Sequence, residues 1–159
     1  MDYDLLCQKI TELKSKYNLT DFTFDAECIY DKGDLSHLIQ SIINTTLSGY
    51  GIIITEELSE DGQQYIVTLS TRARQMRIVA DTFSDWLPDT FFMEMESIPL
   101  FFETGLCYYS INPAIGLTGQ EAWYFCGTET DLKAARREGL PLIYPGENPT
   151  ETAEFKNWN

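Results

Sequence analysis

The chain opens with apolar residues at helical spacing. Leu6, Ile10, Leu13 and Tyr17 share one face of a helix predicted over residues 4–17. In DFTFDAECIY (21–30) the period changes to two: Phe22, Phe24, Ala26, Cys28 and Tyr30 alternate with Asp21, Thr23, Asp25 and Glu27, which predicts a half-buried strand. DKGD makes a turn, and Asp34 is placed to cap a second helix by accepting from its free backbone N–H groups. That helix carries Leu35, Leu38, Ile39, Ile42 and Thr46 on one face, and Gly49 or Gly51 ends it.

IIITEEL and QYIVTLS flank SEDGQ, where Asp61-Gly62 supplies the tolerance of positive φ that a hairpin turn needs. Residues 72–87 place Met76, Val79, Ala80, Phe83 and Leu87 at helical spacing and read as a helix. Arg72, Arg74 and Arg77 then lie at its positive end, and Asp81 and Asp85 at its negative end. Each misplaced charge costs only about 0.3–1 kcal/mol, less than a buried apolar stripe contributes.

From Pro88 onward the pattern predicts strands in TFFMEMES, LCYYSI and EAWYFCG. Thr128-Glu-Thr-Asp131 resembles a capping box and starts the helix DLKAARRE, which Gly139 stops. PLIY is a short last strand. These elements predict one α+β domain over 1–146, a mostly antiparallel twisted sheet with three to four helices, several packed on one face. Residues 147–159 form a polar tail, docked, if at all, through Phe155 and Trp158.

Composition bears on function more than on fold. The 159 residues include 25 acids and 11 bases, a formal net charge of -14. Such a surface repels phosphate backbones and acidic lipid headgroups, so direct nucleic-acid and membrane binding are disfavoured. The 43% of hydrophobic residues suffices for a substantial core. MDYDLLCQKI lacks the basic start and long apolar run of a signal peptide, and no stretch reaches the roughly 18 apolar residues of a membrane span. The expected location is cytoplasmic, with Cys7, Cys28, Cys107 and Cys126 as reduced thiols.

No residue pattern points to a specific reaction chemistry. His37, the only histidine, stands at a polar helix position, which leaves no material for a His-containing triad or a His-rich zinc site. GLTGQE contains a GxxG without basic flanks, and SEDGQ lacks the carboxylate ladder of a calcium loop. There is no Walker loop, dinucleotide fingerprint or GxSxG elbow, so no cofactor is implied. Arg72, Arg74 and Arg77, with Lys9, Lys14 and Lys16, read as ion-pairing surface.

One stretch stands out by charge. Between Ile78 and Leu132 there is no Lys or Arg, whereas nine acids and more than half the aromatic residues fall there. Read as a strand, FFMEME directs Glu94 and Glu96 to one side, about 6.5–7 Å apart, with Phe91, Met93 and Met95 opposite. A solvated strand face explains the pair, and so does a surface on which acids steer a basic partner and aromatics anchor it. The docking candidates are Asp85, Trp86, Asp89, Glu94, Glu96 and Glu103, and the expected function is non-enzymatic binding of a basic protein such as a toxin or nuclease. Small acidic inhibitors of the immunity-protein kind work in this way. A secretion-type chaperone or adaptor with an apolar groove is a second class. A small hydrolase or transferase using a carboxylate pair is a third.

Overall fold

A computed structural model describes residues 2–152; Phe155 and Trp158, the expected anchors of the tail, lie outside the described residues. Among the described residues there are four α-helices and seven strands, and the strands form two sheets, one of four and one of three, so the fold is α+β with mostly antiparallel pairing. The chain divides into two compact units, one built from residues up to Thr23 together with those from Gly105 onward, the other from Phe24–Thr104.

In the first unit α1 (Tyr3–Lys16) is capped by Asp2, whose carboxylate accepts the Leu5 N–H at 3.2 Å. Its apolar stripe, Leu6, Ile10 and Leu13, enters a core shared with Ile111, Phe125, Leu132, Ala135, Leu140 and Leu142. The sheet runs β1 (Thr20–Asp25), β6 (Glu121–Gly127), β5 (Cys107–Ile111), β7 (Leu142–Ile143). On its other face Phe22 stacks on Tyr124 and meets Tyr108 edge-on, with centroids 5.5 and 5.1 Å away. A Cβ at Gly127 would lie 2.5 Å from Leu19 Cδ2, so a larger residue there would require the buried Leu19 side chain to shift.

α4 (Glu129–Arg137) starts as its sequence predicts, with Thr128 Oγ1 accepting the Asp131 N–H at 3.2 Å, acids in the first turn and arginines in the last. Residues 147–152 are tied to this unit by polar side chains. Asn112, 1% exposed, donates through Nδ2 to the Pro149 carbonyl at 2.8 Å and lies 3.3 Å from Thr152 Oγ1. Glu147 pairs with Arg136.

The second unit holds α2 (Asp34–Thr46), the sheet β2 (Ile53–Leu58), β3 (Gln64–Ser70), β4 (Gln75–Asp81), and α3 (Asp89–Phe101). Tyr65, Val67, Leu69, Ile78 and Ala80 are buried, with α2 packed over β2 and β3 and α3 beside β4. The predicted hairpin is present: Gly62 takes φ +71°, and Asp61 Oδ1 accepts from Ser59 Oγ at 2.7 Å and the Gln63 N–H at 3.0 Å.

Three sequence expectations change here. Residues 72–87 are not a helix: Gln75–Asp81 form β4, joined to β3 by a turn in which the Thr71 N–H donates to the Arg74 carbonyl at 2.9 Å. The alternation of buried Ile78 and Ala80 with exposed Gln75 and Arg77 decides it, and no macrodipole then opposes the arginines. FFMEME is not a strand: it lies in α3, where Phe91, Met95 and Ile98, spaced by four and three, are buried. Asp34 does not cap α2. Its Oδ2 accepts from the N–H groups of Tyr30 and Asp31, at 2.9 and 2.8 Å, while Glu56 on β2 reaches across to accept from Gly33 and Ser36 at the start of the helix.

Candidate binding surface

β1 ends at Asp25, whose carboxylate accepts the Glu27 N–H at 2.8 Å and breaks the strand predicted to run to Tyr30. The chain then pairs with the segment that precedes α3. Glu27 and Trp86 face each other in an isolated antiparallel bridge; the Leu87 N–H donates to the Ala26 carbonyl at 2.8 Å, and the Ile29 N–H to the Asp85 carbonyl at 2.9 Å. Residues distant in sequence thereby form one surface: Asp25, Glu27, Tyr30 and Asp34 from one segment, Asp85 and Trp86 from the other.

The groups share one negative field. Desolvation first, then the carboxylates of Glu27, Asp85 and Asp25 and the Cys28 thiol, hold the Tyr30 phenol above its ordinary value. Burial, then Asp25 and Asp34, push the Cys28 thiol up to about 11. Tyr30 remains 59% exposed and Trp86 48%, so each offers an aromatic face beside the acids; Phe83, in the turn after β4, is 77% exposed. Lys32 is the only base between Asp25 and Asp34.

The six residues expected from sequence separate into groups. Asp85 and Trp86 belong to the surface, and Asp89, exposed at the first position of α3, follows them by one turn of chain. Glu94 and Glu96 differ by two positions on a helix, which turns them about 200° apart rather than parallel. They therefore do not form the pair that a strand would make. Glu94 is half-buried, with Oε2 shielded and without a hydrogen-bond partner among the described residues, and burial raises its pKa. Glu96 is also half-buried. Glu103 stands just past the other end of α3, about 20 Å along its axis from Asp89. It is paired with Arg74 Nη2 at 2.5 Å. The arginine also donates to the Phe101 carbonyl at 3.2 Å and lies over the Phe101 ring, so the base-free run from Ile78 is partly neutralised from the β3–β4 turn.

Sequence reasoning missed Asp25, Glu27, Tyr30 and Asp34 as members of the surface. The two-residue period placed Asp25 and Glu27 on a wet strand face and Tyr30 in the core. Only the pairing of 26–29 with 85–87 brings them together, and no local signal announces it.

Other reactive groups are dispersed. Cys126 is buried, and burial pushes its thiol up to about 11, away from the thiolate a nucleophile needs at neutral pH. His37 is exposed on α2. Among the described residues no group of three or more His, Cys, Asp or Glu side chains could hold a metal ion, and no helix is long and apolar enough to cross a membrane. Comparison with known protein families, curated proteins and solved structures gives no match.

Proposed function

We propose that the chain is a non-enzymatic binding protein that occupies a basic protein partner, in the manner of an inhibitor or immunity protein acting on a basic toxin or nuclease. The observation that carries this reading is the Glu27–Trp86 bridge, which gathers four carboxylates beside two exposed aromatic rings. Long-range attraction from a chain of net charge -14 speeds the encounter with a basic surface. Trp86 and Tyr30 then contribute contact area with few rotatable bonds, and their faces accept Arg or Lys side chains.

The test is affinity capture from cell extract with the native chain and with Glu27→Lys/Asp85→Lys as bait. A captured protein with pI above about 9, present with the native chain and absent with the reversed one, supports the proposal. Equal capture by both baits, or a partner that is itself acidic, contradicts it.

A further inference from the structure

The three-stranded sheet ends in β4, and no strand pairs with its outer side among the described residues. The Thr82 N–H donates to the Gln63 carbonyl and the Thr71 N–H to the Arg74 carbonyl, both at 2.9 Å. Hydrogen-bonded pairs alternate along an antiparallel ladder, so in the register of these strands Met76, Ile78 and Ala80 bond to β3. Gln75, Arg77, Val79 and Asp81 direct their N–H and C=O groups outward, where no hydrogen bond meets them among the described residues. Their side chains stand on the opposite face of the sheet from buried Ile78 and Ala80. Arg77 is exposed and Asp81 half-buried, and among the described residues neither makes an ion pair. They lie about 13 Å apart along their own strand, too far to pair with each other.

We propose that the β4 edges of two copies of this chain pair about a two-fold axis, joining their sheets into one continuous antiparallel sheet. The axis passes at Val79, which faces Val79 of the second copy, and Arg77 of each copy faces Asp81 of the other. Only residues with outward backbone groups face one another in this register, so each of these pairs exchanges both its hydrogen bonds. Charge complementarity selects it. Centring the pairing on Arg77 or on Asp81 would oppose like charges, and centring it on Ile78 or Ala80 would leave Arg77 and Asp81 unmatched. The other outer strands lack this complementarity: β1 carries Asp21 and Asp25, β2 carries Glu56 and Glu57, neither has a Lys or Arg, and β7 is two uncharged residues. Ile66, half-buried on β3 beside Val79, extends the apolar row on each side of the seam. The contact is self-complementary, as a two-fold interface must be, and main-chain bonds hold it as they do when a strand adds to a sheet edge. It does not depend on the acidic surface or on that surface's partner.

Sedimentation velocity of the native chain from about 5 to about 500 μM, a range that brackets weak self-association, should show a monomer passing to a dimer. Arg77→Asp and Asp81→Arg should each weaken the dimer by about tenfold or more, because both symmetry-related contacts turn repulsive. An equimolar mixture of these two variants should dimerise within about threefold of the native chain, since every facing pair again joins opposite signs. Arg72→Asp makes the same change in net charge as Arg77→Asp but away from the seam, and should alter dimerisation by less than about twofold. Val79→Pro removes an outward N–H without removing a bond to β3, and should abolish the dimer. If a thermal melt shows that this variant has lost its fold, the charge variants alone decide. A native chain that stays monomeric throughout, a dimer that survives either reversal or a folded Val79→Pro chain, an equal loss from Arg72→Asp, or no recovery in the mixture would each overturn the assignment.

Discussion

Arg136 and Glu147 meet through two hydrogen bonds, Nη1 to Oε1 at 2.5 Å and Nη2 to Oε2 at 2.8 Å. The guanidinium is nearly buried, 7% exposed for the residue, and lies 3.9 Å from the centroid of the Tyr144 ring. Glu147 Oε1 also accepts the Tyr144 N–H at 3.0 Å. A segment with no apolar periodicity is thus held by charge-assisted bonds rather than by a hydrophobic stripe.

Removing the carboxylate takes away the ion pair that Arg136 makes with Glu147 at the nearly buried guanidinium. Glu147→Gln should cost about 2–3 kcal/mol at pH 7, somewhat below the roughly 3–5 kcal/mol of a fully buried pair because Glu147 retains contact with water. The hydrogen bond from Arg136 is the main cause of a lowered Glu147 pKa. Its contribution is therefore present above the unfolded value and lost as pH falls through the lower folded one. Urea unfolding at pH 7 and near pH 3 should show the gap between native and variant closing at the lower pH. A constant gap would mean the pair acts through shape alone.

Glu94 should behave with the opposite sign. Burial raises its folded pKa, so the fold binds a proton more tightly than the unfolded chain does. Stability from this group then falls as pH rises from the unfolded value through the raised folded one. Glu94→Gln should stabilise the chain modestly at pH 7, because it removes a partly desolvated charge. The advantage should vanish near pH 3. Destabilisation at pH 7 would show that the carboxylate has an essential partner.

Glu56 offers a test of how β2 and α2 are coupled. It accepts the Ser36 N–H at 3.0 Å and that of Gly33, serving as an N-cap supplied from another element. Glu56→Ala should lower stability by about 1–2 kcal/mol, the upper part of the range for losing a cap. Asp34→Ala should leave those two bonds intact and disturb the 30–34 turn instead. Equal amide-exchange protection at Ser36 in native and Glu56→Ala proteins would show that the helix start does not depend on the strand.

Local signals were sufficient wherever one face of an element is buried and the other is polar. α1, α4 and the β2–β3 hairpin have caps, charges and turn residues that agree with their apolar period, and the structure follows them. α3 was illegible because Met93 and Leu100 face outward opposite Phe91 and Met95, which erases the helical period and leaves FFMEME with the alternation of a strand. In β4 the apolar residues satisfied both periods, and the reversed charges of Arg72, Arg74 and Arg77 were the signal that favoured the strand. The candidate surface was half legible: Asp85, Trp86 and Asp89 came from a local absence of bases. Glu27 and Tyr30 depended on a pairing between segments nearly 60 residues apart.

The proposed role of the acids and aromatics gathered by the Glu27–Trp86 bridge is to bind a basic partner. Its most direct test is the association rate with the captured partner at about 50 mM and about 300 mM salt, between which exposed charges are progressively screened. For the native chain the rate should fall by about tenfold or more across that range, and Glu27→Lys/Asp85→Lys should slow it at low salt and flatten its salt dependence. Trp86→Ala should leave association nearly unchanged and speed dissociation. Association that is equally fast for the reversed chain, with the same dependence on salt, would contradict the account.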